Sequence, residues 1–168
     1  MGTALVVIDI QNDYFPGGAY PLWNAEQTLQ NVVTAVNRAT SAGVPVVLVQ
    51  HIAAGSAPFF NAGTAGSELH PAVVAAAQGA PVVVKQFADS FHQTGLEEIL
   101  ARHGVTELLV CGMMTQNCVT HTAISRAAEK YRVTVLTDCC TTVDEMIHKI
   151  ALGALSIRVT LATAADAL

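Results

Sequence analysis

The sequence predicts an α/β fold: a three-layer α/β/α domain built on a six-stranded, mostly parallel sheet. Two observations carry that prediction. Six short runs rich in β-branched residues alternate with five stretches of helical character, and repeated strand-then-helix order calls for right-handed crossovers and parallel pairing. The runs are also continuously apolar rather than alternating, as strands covered on both faces are. With 168 residues and no repeat, low-complexity run or linker to divide them, residues 1–168 read as one domain with a sizeable core.

The elements follow in order. Strand one, Thr3 to Asp9, is Leu5-Val6-Val7-Ile8 ending in a carboxylate. A long connection, Ile10 to Trp23, leads to a helix over Ala25 to Ala42, with Asn24 as N-cap and Gly43 as its stop. Strand two, Val44 to Gln50, is followed by a second long connection, His51 to Gly66, and a helix over Glu68 to Gln78 behind Ser67. Strand three is Pro81 to Lys85. A helix over Gly95 to His103 follows, between Thr94 and Gly104. Strand four, Glu107 to Cys111, enters a helix over Gln116 to Tyr131 capped by Thr115. Strand five, Arg132 to Thr137, a helix over Asp144 to Leu155 and strand six, Ile157 to Ala162, complete the chain. Both long connections leave strand C-terminal ends, the edge where open α/β sheets bind ligands, so they are expected to roof a pocket.

Composition narrows the function. Charged residues make up 12% of the chain and hydrophobic ones 52%, against about 25% charged in an average soluble domain. So little surface charge implies that a second copy covers part of the surface, giving a homo-oligomer, a dimer or a tetramer. Thirteen acidic against eight basic residues give a net charge of −5 with no basic cluster, which argues against nucleic acid as a partner. The N-terminal apolar run stops at Asp9, too short for a signal peptide or a membrane span, so no membrane partner and a cytoplasmic location are expected. Cys111, Cys118, Cys139 and Cys140 then read as free thiols, and no Cys-x-x-Cys spacing suggests zinc. Neither metal nor other cofactor is expected.

Three residues carry chemistry. Asp9 ends an apolar strand, where it either caps the following loop or serves as a buried acid beside a cation. Lys85 ends the third strand in the same way, as a solvent-facing terminus or as that cation. Cys118 falls in the first turn after the fourth strand, where the helix dipole would depress its pKa and make it a nucleophile; the alternative is a small buried hydrophobe. Acid, cation and thiol all fall on one edge of one sheet, and together they favour catalysis.

The motifs Val6-Val7-Ile8-Asp9-Ile10-Gln11-Asn12-Asp13-Tyr14, Gly63-Thr64-Ala65-Gly66-Ser67-Glu68-Leu69-His70, Lys85 with Ser90-Phe91, and Gly112-Met113-Met114-Thr115-Gln116-Asn117-Cys118-Val119 resemble the isochorismatase-like cysteine hydrolases. That superfamily includes nicotinamidases, carbamoylsarcosine amidohydrolases and isochorismatases. The resemblance spans nearly the whole chain and implies sheet order 3-2-1-4-5-6. It also implies an Asp9–Lys85–Cys118 triad, a cis peptide between Met113 and Met114, and an oxyanion hole formed by the N–H groups of Met114 and Cys118. The activity it implies is hydrolysis of a C–N bond in a small amide or carbamoyl substrate through a thioester on Cys118. A vinyl-ether hydrolase without need of the cysteine, and a non-catalytic binding module, are the alternatives.

The chain departs from the nicotinamidase pattern at one point. An Asp-x-His element that holds a metal after the second strand there is replaced by Gln50-His51-Ile52-Ala53, leaving His51 and His70 as isolated imidazoles. Phe15, Trp23 and Phe91 are candidate pocket residues. His121, one turn beyond Cys118, is assigned no catalytic role.

Overall fold

The structure, a computed structural model, describes residues 2–168. Six strands form one parallel sheet: β1 (Gly2–Ile8), β2 (Val46–His51), β3 (Val82–Lys85), β4 (Val105–Met113), β5 (Arg132–Thr141) and β6 (Thr160–Ala162). Their order across the sheet is β3-β2-β1-β4-β5-β6. The helices are α1 (Ala25–Ser41), α2 (Pro71–Ala76), α3 (Leu96–Arg102), α4 (Thr120–Ala123), α5 (Glu145–Leu155) and α6 (Ala164–Ala167). Among the described residues, no helix is long and apolar enough to cross a membrane.

The core is centred on β1, whose Ala4, Leu5, Val6, Val7 and Ile8 are all buried because β2 and β4 flank it and helices cover both faces. At its C-terminal end β1 meets β4 through the pair Ile8–Gly112. Gly112 has φ +127°, and a Cβ there would stand 2.0 Å from the Ile8 carbonyl oxygen. Both the left-handed backbone and the close approach require glycine. Gly112→Ala is therefore expected to cost on the order of 4 kcal/mol or more in chemical denaturation; an unchanged midpoint contradicts this.

Local structure departs from the sequence pattern at several points. β3 is an edge strand, so its face alternates: Val83 and Lys85 are buried while Val82 and Val84 are exposed. The second helix starts at Pro71 rather than Glu68, because Leu69 bridges to Gln11 and the residue before a proline avoids helical angles. His70, not Ser67, is its N-cap, with Nδ1 accepting from the Ala72 N–H at 3.2 Å.

The helix expected over Gln116 to Tyr131 is broken into a π turn (Thr115–Val119), α4 and a 3-10 turn (Arg126–Ala128). Hydroxyls compete with its backbone ladder: Ser125 accepts from the Ala127 N–H and donates to Asp89, and Thr122 donates to Ser90. Met114 rather than Thr115 precedes the turn as its cap residue. β6 is shorter than expected because Arg158 and Val159 still donate to the Leu155 carbonyl. Asn24 does precede α1, with a left-handed backbone and no side-chain cap bond.

Candidate active site

The sheet's C-terminal edge gathers the expected residues. Asp9 directly follows β1, Lys85 closes β3, and Cys118 lies in the π turn after β4. β3 is separated from β1 by β2, so Lys85 must reach across a strand, and the position opposite it on that strand is His51. The Lys85 ammonium lies 2.9 Å from Asp9 Oδ2, 3.2 Å from Cys118 Sγ and 3.0 Å from His51 Nδ1. Asp9, Lys85 and Cys118 are 0%, 1% and 3% exposed, and Asp9 Oδ1 is a buried acceptor with no partner among the described residues.

This environment reverses the expectation that Cys118 is an acidic thiol. Burial pushes its pKa up and the Asp9 carboxylate adds to that, while Lys85 pulls the other way without prevailing. The resting group is therefore a neutral thiol poised between a base and a cation. Burial alone would lower the Lys85 pKa, but Asp9 and Cys118 reverse this and keep the ammonium charged. Burial and the neighbouring Lys85 lower the pKa of His51, which favours a neutral imidazole. Burial, then Asp9 and Cys118, push the Tyr14 phenol up.

Donor atoms of Asp9, His51 and Cys118 lie within 4.8 Å of one another, a spacing that could suit a metal ion. The Lys85 ammonium, however, is in hydrogen-bond contact with all three residues. A cation already fills the point that a metal would need, and a second one there would meet direct charge repulsion. These residues do not fit a metal.

Buried polar side chains hold the two long connections together. Gln11 brackets the end of β2: its Oε1 accepts from the His51 N–H at 2.8 Å, and its Nε2 donates to the carbonyls of His51 at 2.8 Å and Ser67 at 2.7 Å. The Asp13 carboxylate accepts from the N–H groups of Phe60 at 2.7 Å and Ala19 at 3.1 Å. Gly66 packs so closely that a Cβ would come within 2.0 Å of Asp13 Oδ1. In sequence the only trace of this network is a polar Gln11-Asn12-Asp13 run directly behind an apolar strand.

The aromatic residues fall into separate groups. Beside the site stand Phe60, 5.9 Å from the His51 ring, and Tyr14, 4.6 Å from Phe60. Phe15 packs on His70, Trp23 lies 5.9 Å from His148, and Phe91 stacks on Tyr131. The Met113–Met114 peptide is cis. Five surface cavities are lined by residues other than Asp9, Lys85 and Cys118.

Sheet order and a buried acid–lysine–thiol cluster at the sheet's C-terminal edge define an open α/β fold with a reactive thiol beside an ion pair. Comparison with known proteins narrows it. The model of the isochorismatase domain matches residues 3–166. An uncharacterized isochorismatase family protein of Bacillus subtilis (strain 168), YddQ, is 43% identical over 143 residues, covering 84% of this chain and 79% of that protein. An Arabidopsis thaliana protein described as a probable inactive nicotinamidase is 30% identical over 165 residues, covering 87% and 84%. The crystal structure of an isochorismatase family protein from Desulfovibrio vulgaris superposes with a TM-score of 0.88 at 27% identity, covering 97% and 94%. The chain belongs to the isochorismatase family of hydrolases.

Proposed function

We propose that this protein is a metal-independent cysteine hydrolase that cleaves a C–N bond of a small amide or carbamoyl compound through a thioester on Cys118. The observation that carries this reading is the single ammonium, Lys85, held between a buried carboxylate and a buried thiol. The family's vinyl-ether chemistry has no use for that thiol.

The steps follow from the geometry. The open Oδ1 of Asp9 takes the thiol proton as Sγ attacks the carbonyl carbon, and Lys85 stabilises the developing thiolate. The N–H groups of Met114 and Cys118, at the turn that follows β4, receive the oxyanion. Asp9 returns its proton to the departing amine, and water deprotonated by the same carboxylate hydrolyses the thioester. Because the three side chains are almost wholly out of solvent, a substrate must be small and must enter through a narrow gap or a displaced roof. The test is a screen of small amides, carbamoyl compounds and nicotinamide for ammonia release, run beside Cys118→Ala. Release that depends on Cys118 supports the reading, and release equal in both proteins overturns it.

The same reading carries a homo-oligomer, supported by the exposed apolar residues Val82, Val84, Phe87, Met146, Ile150 and Ile157. Light scattering at micromolar concentration should give a dimer or tetramer mass; a monomer mass removes this part.

A further inference from the structure

We infer that His51 is a positioning residue of the reaction: its neutral imidazole accepts the third N–H of Lys85 and so fixes the direction of the other two, toward Asp9 and Cys118. The inference rests on the catalytic reading of Asp9, Lys85 and Cys118 given above, and it adds a residue that the sequence offered only as a leftover imidazole.

The reasoning starts from topology. Lys85 lies two strands from Asp9, and His51 on the intervening strand is its register partner, so the lysine stem crosses the sheet edge alongside the imidazole. An ammonium has three N–H donors and no acceptor. At Lys85 the three acceptors within reach are Asp9 Oδ2 at 2.9 Å, His51 Nδ1 at 3.0 Å and Cys118 Sγ at 3.2 Å. Each donor has one partner, and with the side chain 0% exposed no bulk water replaces a missing one.

Without the imidazole, one N–H of a buried cation would be orphaned, at the cost of its desolvation, and the headgroup would be free to turn away from sulfur. The imidazole is itself held: Gln11 bonds both the N–H and the carbonyl of His51, and the Phe60 ring lies beside it. For Nδ1 to accept from an ammonium, the ring proton must sit on Nε2. Burial and the adjacent cation both favour that neutral form.

Two measurements test this. The first is the rate of iodoacetamide alkylation at Cys118, with Cys118→Ala as the blank, for the wild type, Lys85→Met, His51→Ala and His51→Asn. The Asn carbonyl offers an acceptor near the place of Nδ1 without titrating. Expected is a loss of about 10–100-fold in His51→Ala, with most of the rate restored in His51→Asn. A Lys85→Met protein alkylated as fast as the wild type would sink the triad itself. Slow Lys85→Met with His51→Ala at the wild-type rate would sink only the role of His51, and His51→Asn as slow as His51→Ala would reduce that role to packing.

The second measurement needs no variant and so holds if His51→Ala fails to fold. In the wild-type protein labelled with 15N-histidine, His51 should show an unprotonated Nδ1 and a protonated Nε2 at neutral pH. A proton on Nδ1 would overturn the inference.

Discussion

Cys118→Ala is expected to lower turnover by at least ~10⁴-fold while leaving the fold intact and lowering its thermal midpoint only modestly. The magnitude follows from removing the nucleophile of a covalent mechanism, where deletion of one member costs about as much as losing the whole catalytic unit. The effect on stability is modest: the lost atom is one sulfur, which leaves one N–H of Lys85 without its acceptor at a cost of about 1–3 kcal/mol, while Asp9 keeps its partner, because Lys85 remains 2.9 Å away. Cys118→Ser should fail as well, since a buried hydroxyl beside the same carboxylate is a far weaker acid than a thiol. Steady-state ammonia release and a melting curve on the same preparations check both halves. Activity retained within tenfold by the alanine protein would point to chemistry that does not pass through sulfur.

Lys85→Met should show the second largest effect, on stability as well as on rate. The Lys85–Asp9 pair has both side chains fully buried, and removing one partner of a buried pair costs about 3–5 kcal/mol because the other charge is left uncompensated. The sulfur would lose its neighbouring cation in the same substitution, so turnover should fall with it. The double variant Asp9→Asn with Lys85→Met separates charge from packing: with the stranded carboxylate gone, it should recover part of the lost stability, though no activity. Chemical denaturation of the two proteins reads this directly. A double variant less stable than Lys85→Met alone would show that packing, not the unpaired charge, sets the cost.

Much of the architecture was legible in the residues. Continuous apolar runs such as Leu5 to Ile8 read as strands covered on both faces, and the burial of β1 bears this out. Asp9, Lys85 and Cys118 could be placed on one edge because each follows such a run. Features set by long-range contacts were not legible. The start of the second helix is not legible because nothing near Glu68 announces the bridge between Gln11 and Leu69. The breaks in the helical segment after β4 are hidden as well, because the partners of Thr122 and Ser125, Ser90 and Asp89, lie more than thirty residues away in sequence.

The same limit explains the electrostatics. A helix start suggested a depressed thiol pKa at Cys118, yet the surrounding burial and the Asp9 carboxylate push it up, and burial is a property of the assembled sheet. His51 looked idle for a related reason. The role inferred for it depends on which strand lies between those of Asp9 and Lys85, and on the contact between the lysine ammonium and its Nδ1.

Catalysis here is assigned to one sulfur that becomes covalently loaded during turnover, and mass spectrometry reads that most directly. The protein would be quenched in acid during steady-state turnover of a compound found by the ammonia-release screen, then digested and mapped. The expected result is a peptide containing Cys118 heavier by the acyl portion of the substrate, absent from Cys118→Ala. Sustained turnover with Cys118 unmodified, and equal ammonia release from the alanine protein, would contradict it.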